Sequence, residues 1–244
     1  MNSYVLVDSE EALEASLADL ETSQVLAIDA ERASGFKYGQ SAYLVQILTN
    51  EVAYLIDPKA LSETVLLKLA KVTNDSEWIL HSATQDLPCL NELGLYPAKI
   101  FDTEVAAKLL GFEKIGLASL VERYTGVELK KEHSAADWSL RPLTEEMLEY
   151  AAQDVYYLHE LREKLMDELE QAQKMVFAEQ EFEFLLSFKP KPAPANPWRK
   201  TSGLHALTKP IQLARLREMW KVRDAYASTN DIAPGRIVSD RSLS

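Results

Sequence analysis

The stretch from Val25 to Glu31 places two carboxylates at the end of an apolar run, and it constrains the fold more than any other part of the sequence. Residues 25–28 are apolar and have no helical period, which predicts a buried β-strand. Alternate residues of a strand face the same side, so Asp29 and Glu31 should share one face. Two neighbouring anions repel each other there unless a cation joins them. The stretch therefore predicts either a divalent metal site or the start of a solvated loop.

The order of predicted strands and helices favours an α/β fold with a mixed sheet. Residues 25–56 contain three apolar runs separated by turn residues, which predicts an antiparallel meander. After residue 70, strands at 78–81 and 100–102 alternate with helices, which favours parallel pairing. A strand is also predicted at 4–7. The predicted helices span residues 10–20, 61–71, 87–93, 103–110, 117–124, 144–169 and 174–188.

Length and charge indicate one large domain followed by a smaller, basic one. Residues 189–197 include four prolines, which predicts a stiff linker between a domain at 1–188 and a helical appendage at 198–244. From Lys189 onward there are eleven Lys and Arg against four Asp and Glu, a net charge of +7 in a chain of net charge −12. This asymmetry favours an anionic ligand, although a solvated basic tail is an alternative.

The chain also carries signs of its cellular environment. Cys89 is its single cysteine and cannot form an internal disulfide, which favours the reducing cytoplasm. We see no basic segment followed by an apolar one at the N-terminus, and no apolar run of transmembrane length. We therefore expect a cytoplasmic protein that does not contact a membrane.

Three further polar residues follow in an informative order. Asp86 comes after the predicted strand at 78–81, where α/β folds gather ligands. Tyr150 and Asp154 are four residues apart, so they share one face of the helix predicted at 144–169. Each residue alone is more typical of a helix cap, a packed ring or a surface acid. Their order after the Asp-x-Glu pair is what points to a common site.

This order resembles the motifs of the DEDD superfamily of exonucleases, in its tyrosine-bearing branch. The matching segments are Asp29 to Glu31, His81 to Leu87 and Tyr150 to Asp154. The sequence segments at 43–47, 55–58, 100–103 and 137–143 are similar to those of the ribonuclease D family. The resemblance implies a ribonuclease-H-like fold and 3′-to-5′ hydrolysis of RNA, including the trimming of tRNA precursors.

The resemblance also implies a role for each motif residue. Asp29, Glu31, Asp86 and Asp154 would hold two divalent cations, and hard oxygen ligands favour Mg²⁺ or Mn²⁺. Asp29 would bridge the two ions, Glu31 and Asp154 would bind the ion that serves the nucleophile, and Asp86 would contact the other. Tyr150 would orient the attacking water, since a phenol is mostly protonated at neutral pH.

Four other residues are candidates for substrate binding. Gln46 could form a hydrogen bond near the RNA 3′ end, and His81 could approach a phosphate, although a buried histidine is the alternative. Trp138 and Arg141 lie in residues 130–142, which we predict to be an active-site loop. They could stack on a base and contact a phosphate, or they could pack the loop against the main helix.

The basic tail resembles the start of an HRDC domain, the helical module that follows the nuclease in this family. Arg215, Lys221 and Arg236 remain available for phosphates there, and the segment at 198–244 corresponds to only part of such a module. We expect a monomer that acts on single-stranded RNA 3′ ends. The alternatives are a DNA exonuclease, or a nucleic-acid-binding protein without turnover.

Overall fold

The chain folds into two compact units. A computed structural model describes residues 3–50, 52–129 and 136–244. The first unit comprises Met1–Arg32 and Ser41–Lys189, and the second comprises Ala33–Gln40 and Pro190–Ser244. The contacts of residues 33–40 thus assign them to the second unit, whereas their sequence position lies inside the first predicted domain.

A six-stranded mixed sheet forms the centre of the first unit, with strand order β1-β4-β3-β2-β5-β6. The antiparallel pairs are β2 with β3 and β3 with β4, and the remaining neighbours are parallel. This arrangement confirms the predicted meander, parallel units and mixed sheet. The strands are β1 (Tyr4–Val7), β2 (Val25–Arg32), β3 (Ala42–Leu48), β4 (Ala53–Ile56), β5 (Glu77–Leu80) and β6 (Lys99–Asp102).

Helices flank this sheet and cover its apolar strands. Leu26, Ala27 and Ile28 of β2 are at most 1% exposed. Burial of such side chains supplies about 1.5–3 kcal/mol for each large one, so the central strand is strongly fixed. The helices of this unit are α1 (Glu10–Thr22), α2 (Glu63–Thr73), α3 (Leu87–Glu92), α4 (Thr103–Leu110), α5 (Leu117–Thr125), α6 (Glu145–Tyr156), α7 (Leu158–Gln171) and α8 (Met175–Leu186).

The helix predicted at 144–169 is in fact two helices, α6 and α7, and the prediction of one long helix is wrong. Thr144 caps α6, because its side chain accepts a hydrogen bond from the backbone N–H of Met147. The backbone leaves ideal helical values at Tyr157, which has φ −97° and ψ −5°. α6 packs on β2, β3 and β4, whereas α7 packs on α4, α5 and β5. The interruption therefore separates two packing surfaces, which the apolar period does not reveal.

Asp102 fixes the turn that follows β5. Its buried carboxylate accepts hydrogen bonds from Ser82 N (3.2 Å) and Ala83 N (2.7 Å), and from two N–H groups at the start of α4. These partners offset the cost of burying the charge. Ser82 has φ +64°, a left-handed conformation that is unusual for a residue other than glycine. The turn carries the chain to Asp86.

The second unit is helical and has a small apolar core. Its helices are α9 (Pro210–Asn230), α10 (Pro234–Ile237) and α11 (Asp240–Leu243), with 3₁₀ turns at Pro197–Lys200 and Leu204–Ala206. Trp198, Leu216 and Leu243 form its core. Arg223 is buried and donates to the carbonyl of Val238 and to Asp240, both at 2.8 Å. No helix among the described residues is long and apolar enough to cross a bilayer.

Within this unit, residues 33–40 are held by the turn after α9 and by α10. The backbone N–H of Ala233 donates to the carbonyl of Phe36 at 2.9 Å. Lys37 forms an ion pair with Asp231 at 3.3 Å. Arg236 donates to the carbonyl of Gly35 and lies 4.0 Å from the centre of the Phe36 ring. Nε and one face of the Arg236 guanidinium are therefore engaged within this unit, and the phosphate contact expected of Arg236 stays a prediction.

Candidate active site

Three carboxylates from a strand and a helix converge in the first unit. Asp29 and Glu31 extend from β2, and Asp154 extends from α6. Ala151 and Ala152 of α6 are fully buried, and their small side chains suit a close approach of the helix to the sheet. Ligand oxygens of the three acids lie within 4.8 Å of one another. Such a spacing fits a single cation bound by several oxygens.

Asp86 joins this group from the turn after β5. It is 5% exposed and forms a hydrogen bond with the side chain of Asp29. It also forms an ion pair with Arg32, at 3.5 Å between Nη2 and Oδ1. A hydrogen bond between two carboxyl groups requires a proton on one of them. All four acids line a cavity of about 400 Å³.

Burial and mutual repulsion make these acids hard to ionise. Burial, followed by the charges of Asp29 and Asp154, raises the pKa of Glu31 to about 9. Burial and the charge of Asp29 raise the pKa of Asp154 to about 8. Burial also raises the pKa values of Asp29 and Asp86. Divalent cations would neutralise the charge of this group. The four carboxylates offer oxygen ligands and no sulfur ligand, a set that suits hard metal ions.

Tyr150 lies beside the acids on α6. Its hydroxyl forms a hydrogen bond with Asp154, one turn further along the helix. Burial and the charges of Asp154 and Glu31 raise the pKa of this phenol above its usual value. The hydroxyl therefore keeps its proton at neutral pH and serves as a hydrogen-bond donor.

His81 lines the same cavity, and its hydrogen bonds define its tautomer. Its Nδ1 lies 2.9 Å from Oγ1 of Thr103, whose hydroxyl donates to the carbonyl of Leu80. Oγ1 must therefore accept the proton of Nδ1, which leaves Nε2 as an acceptor. Burial lowers the pKa of His81, so the ring is neutral.

Gln46 and Trp138 are buried, which limits what they can contact. Gln46 pairs with Asp29 in the β2–β3 register and is 0% exposed. Neither atom of its amide has a hydrogen-bond partner in the described chain. Trp138 is 1% exposed, and its ring lies 6.3 Å from that of Tyr150. A base cannot stack on a covered ring, so the structure favours the packing interpretation of Trp138.

All three nitrogens of the Arg141 guanidinium donate hydrogen bonds within the protein. Its Nε and Nη2 donate to the two oxygens of Asp57, at 2.5 and 2.8 Å. Its remaining contacts are the carbonyls of Trp138, Leu140 and Tyr43, at 2.6–2.8 Å. These bonds occupy the guanidinium, so the phosphate contact suggested by sequence gives way to a structural role. The part of the predicted loop at 130–135 lies outside the described residues.

Arg32, the last residue of β2, also lines the cavity, and it is not among the site residues predicted from sequence. Glu31 pairs with Leu44 and Arg32 pairs with Ala42, so Tyr43 has no partner on β2 and the strands form a bulge. Side chains normally alternate between faces, and a bulge can re-aim one of them. The extra residue of this bulge, Tyr43, belongs to β3, and Arg32 lines the same cavity as Glu31. The one sequence signal was a cation directly after the Asp-x-Glu pair.

The fold and the site together define a class of protein: an α/β protein with an acidic, metal-compatible centre built from a mixed sheet and a flanking helix. The chain belongs to the 3′-5′ exonuclease family, whose model matches residues 4–170. Among curated proteins, ribonuclease D of Cronobacter turicensis is 31% identical over 98% of this chain and 65% of its own length. The chain thus spans less than two thirds of that relative.

Solved structures agree with this assignment. A protein from Bifidobacterium adolescentis is 39% identical, with a TM-score of 0.92 over 100% of this chain and 62% of that one. Escherichia coli RNase D, described as an exoribonuclease involved in structured RNA processing, is 30% identical, with a TM-score of 0.74 over 99% and 65%. Brucella melitensis NrnC with bound Mg²⁺ is 30% identical, with a TM-score of 0.61 over 69% and 85%.

Proposed function

We propose that this chain is a metal-dependent exoribonuclease that hydrolyses RNA from the 3′ end. The observation that carries the proposal is the convergence of Asp29, Glu31 and Asp154 within 4.8 Å, with Asp86 hydrogen-bonded to Asp29. Phosphodiester hydrolysis needs a strong nucleophile near neutral pH and a counter-charge for the transition state and leaving oxygen. A buried group of carboxylates that binds divalent cations meets both needs.

Asp29, Glu31, Asp86 and Asp154 would hold two divalent cations. Their combined charge of −4 would balance two such ions, and the raised pKa values report the same need for positive charge. Bound cations would activate water and stabilise charge on the phosphate. Oxygen ligands favour Mg²⁺ or Mn²⁺, and the Mg²⁺-bound state of Brucella melitensis NrnC supports that choice.

Tyr150 and His81 have complementary roles in this proposal. The Tyr150 hydroxyl keeps its proton and is anchored to Asp154, so it can orient a water molecule for attack without acting as a base. The neutral His81 presents Nε2 as an acceptor toward the cavity, where it can bind a water molecule or a sugar hydroxyl. Gln46 lies too deep for direct contact with substrate.

RNA is the proposed substrate because the curated relatives are ribonuclease D proteins. The description of the Escherichia coli enzyme supports structured RNA, and we propose single-stranded 3′ ends, including those of tRNA precursors. A monomeric state and a cytoplasmic location remain predictions from sequence. Light scattering coupled to gel filtration would measure the first.

The test compares RNA and DNA of one sequence, labelled at the 5′ or the 3′ end, with Mg²⁺, Mn²⁺ or EDTA. A 3′-5′ exoribonuclease releases the 3′ label first and shortens 5′-labelled RNA stepwise, and EDTA stops both. Asp154→Asn should be inactive, whereas the matched control Asp167→Asn, at an exposed position of α7, should be active. Faster hydrolysis of DNA would favour the alternative substrate. Binding without shortening in either metal would refute turnover.

A further inference from the structure

Arg32 is the one Lys or Arg that lines the cavity, within the part of the chain that the structure describes. The other charged groups lining it are Asp29, Glu31, Asp86, Glu104 and Asp154. An RNA strand brings negative phosphates toward this acidic wall. A guanidinium at that position is the residue type best suited to a phosphate, since it presents several N–H donors in a planar fork.

The hydrogen bonds of Arg32 distinguish it from Arg141. Arg141 has its donors occupied by Asp57 and three backbone carbonyls. Arg32 has one ion pair, at 3.5 Å to Asp86, and no hydrogen bond from its guanidinium among the described residues. Its side chain is 26% exposed. Its donors are therefore available to a ligand that enters the cavity.

Arg32 and the acids of β2 line one cavity. The strand β2 continues through Glu31 and Arg32 without an extra residue, because the unpaired residue of the bulge, Tyr43, belongs to β3. Residues 29–32 all line the cavity. The charged site is thus built from consecutive residues of opposite sign.

We propose that Arg32 binds the 3′-terminal phosphodiester of the RNA strand. In the metal-free protein its guanidinium lies 3.5 Å from the carboxyl group of Asp86. A cation held by Asp86 would occupy that carboxyl group and leave the guanidinium free for the phosphate. This inference rests on the proposed function, and it gives Arg32 the phosphate contact that was one of the two sequence-based interpretations of Arg141.

The experiment measures binding of single-stranded RNA with a nuclease-resistant 3′ phosphorothioate linkage, in saturating Ca²⁺ and over a range of KCl concentrations. We expect Arg32→Gln to bind about 10-fold more weakly than wild type. One lost phosphate contact should reduce the slope of log K against log [KCl] by about 0.7. Arg32→Lys should keep the slope and lose only a few-fold in affinity. The matched control is Arg123→Gln, an exposed arginine of α5 that does not line the cavity.

A second ligand tests the contact directly. An RNA whose 3′-terminal linkage is an uncharged methylphosphonate should bind wild type and Arg32→Gln equally well. The phosphate contact would be overturned if the methylphosphonate lowered the RNA affinity of wild type and of Arg32→Gln by the same factor. An unchanged salt slope in Arg32→Gln would also overturn it.

Calorimetric Mn²⁺ titration separates the contact from a purely structural role. We expect Arg32→Gln to bind Mn²⁺ at least as tightly as wild type, because a neighbouring positive charge has been removed. Weaker Mn²⁺ binding with unchanged RNA affinity at saturating metal would mean that Arg32 only positions Asp86. If wild type fails to hydrolyse RNA while the methylphosphonate effect persists, the contact stands and the proposed activity fails.

Discussion

Replacement of Arg141 by alanine should destabilise the protein without lowering its affinity for RNA. Arg141 makes a bidentate ion pair with Asp57, a residue that is 5% exposed. Removing Arg141 leaves the buried carboxylate of Asp57 without its positive partner and with a hydrogen bond from the backbone N–H of Lys59, and the loss of such a partner costs about 3–5 kcal/mol. The Arg141 side chain is 32% exposed, so water can replace part of the lost interaction. We therefore expect a loss of about 3 kcal/mol.

For a domain of this size, that loss lowers the melting temperature by roughly 6–12 °C. Arg141→Lys keeps the charge and loses the planar fork, so about half the loss should remain. Urea unfolding followed by tryptophan fluorescence gives the free energy of unfolding. A double-mutant cycle with Asp57→Asn isolates the pair, and the coupling should account for most of the loss.

RNA affinity is measured in Ca²⁺ well below the melting temperature of the variant. We expect it to stay within about 2-fold of wild type, because the guanidinium has no free donor for a phosphate. A destabilisation below about 1 kcal/mol, combined with a 10-fold loss of RNA affinity, would refute the structural role of Arg141. It would favour the interpretation that Arg141 contacts the substrate.

The remaining predictions concern the acids and their neighbours. Asp29→Asn and Asp154→Asn should each slow RNA hydrolysis by about 10³-fold or more, measured as kcat in Mg²⁺; wild-type rates in either would remove that residue from the site. Tyr150→Phe should lose less, about 10-fold, because water orientation is affected while the carboxylates remain. In metal-free protein, the folded pKa of Glu31 (about 9) and of Asp154 (about 8) exceed the unfolded values near 4. The folded state then binds more protons, so the free energy of unfolding should fall as the pH rises from about 4 to 9. Addition of Mn²⁺ should reverse this fall. Urea titrations in which the free energy of unfolding rises with pH would contradict the predicted sign. Gln46→Leu removes two buried polar atoms that have no hydrogen-bond partner in the described chain. Thermal melting should therefore show a free energy of unfolding that is unchanged or raised by about 1 kcal/mol. A large loss of stability would mean that the Gln46 amide has a partner in the folded protein.

Local chemistry made several features predictable from sequence. The apolar run before Asp29 specified a buried strand, and the helix cap at Thr144 followed from the preference of threonine for that position. The spacing of Tyr150 and Asp154 placed both on one helical face, and their hydroxyl and carboxylate indeed form a hydrogen bond. Each of these inferences uses residues within one turn or one strand.

Other features depended on partners that are distant in sequence. The break at Tyr157 arises because α6 and α7 pack on different elements, while the apolar period runs through both. Trp138 and Arg141 carry side chains suited to RNA, yet burial covers the first and Asp57 occupies the second. Arg32 lines the same cavity as the acids and forms an ion pair with Asp86, a residue that is distant from it in sequence.

The sequence by itself determined which elements form and which acids they carry, because strand alternation and helical spacing are properties of short segments. Only the tertiary structure decided which of the arginines remains available to a ligand. That outcome depends on burial and on competition between hydrogen-bond acceptors, and both are set when β2, β3 and α6 come together.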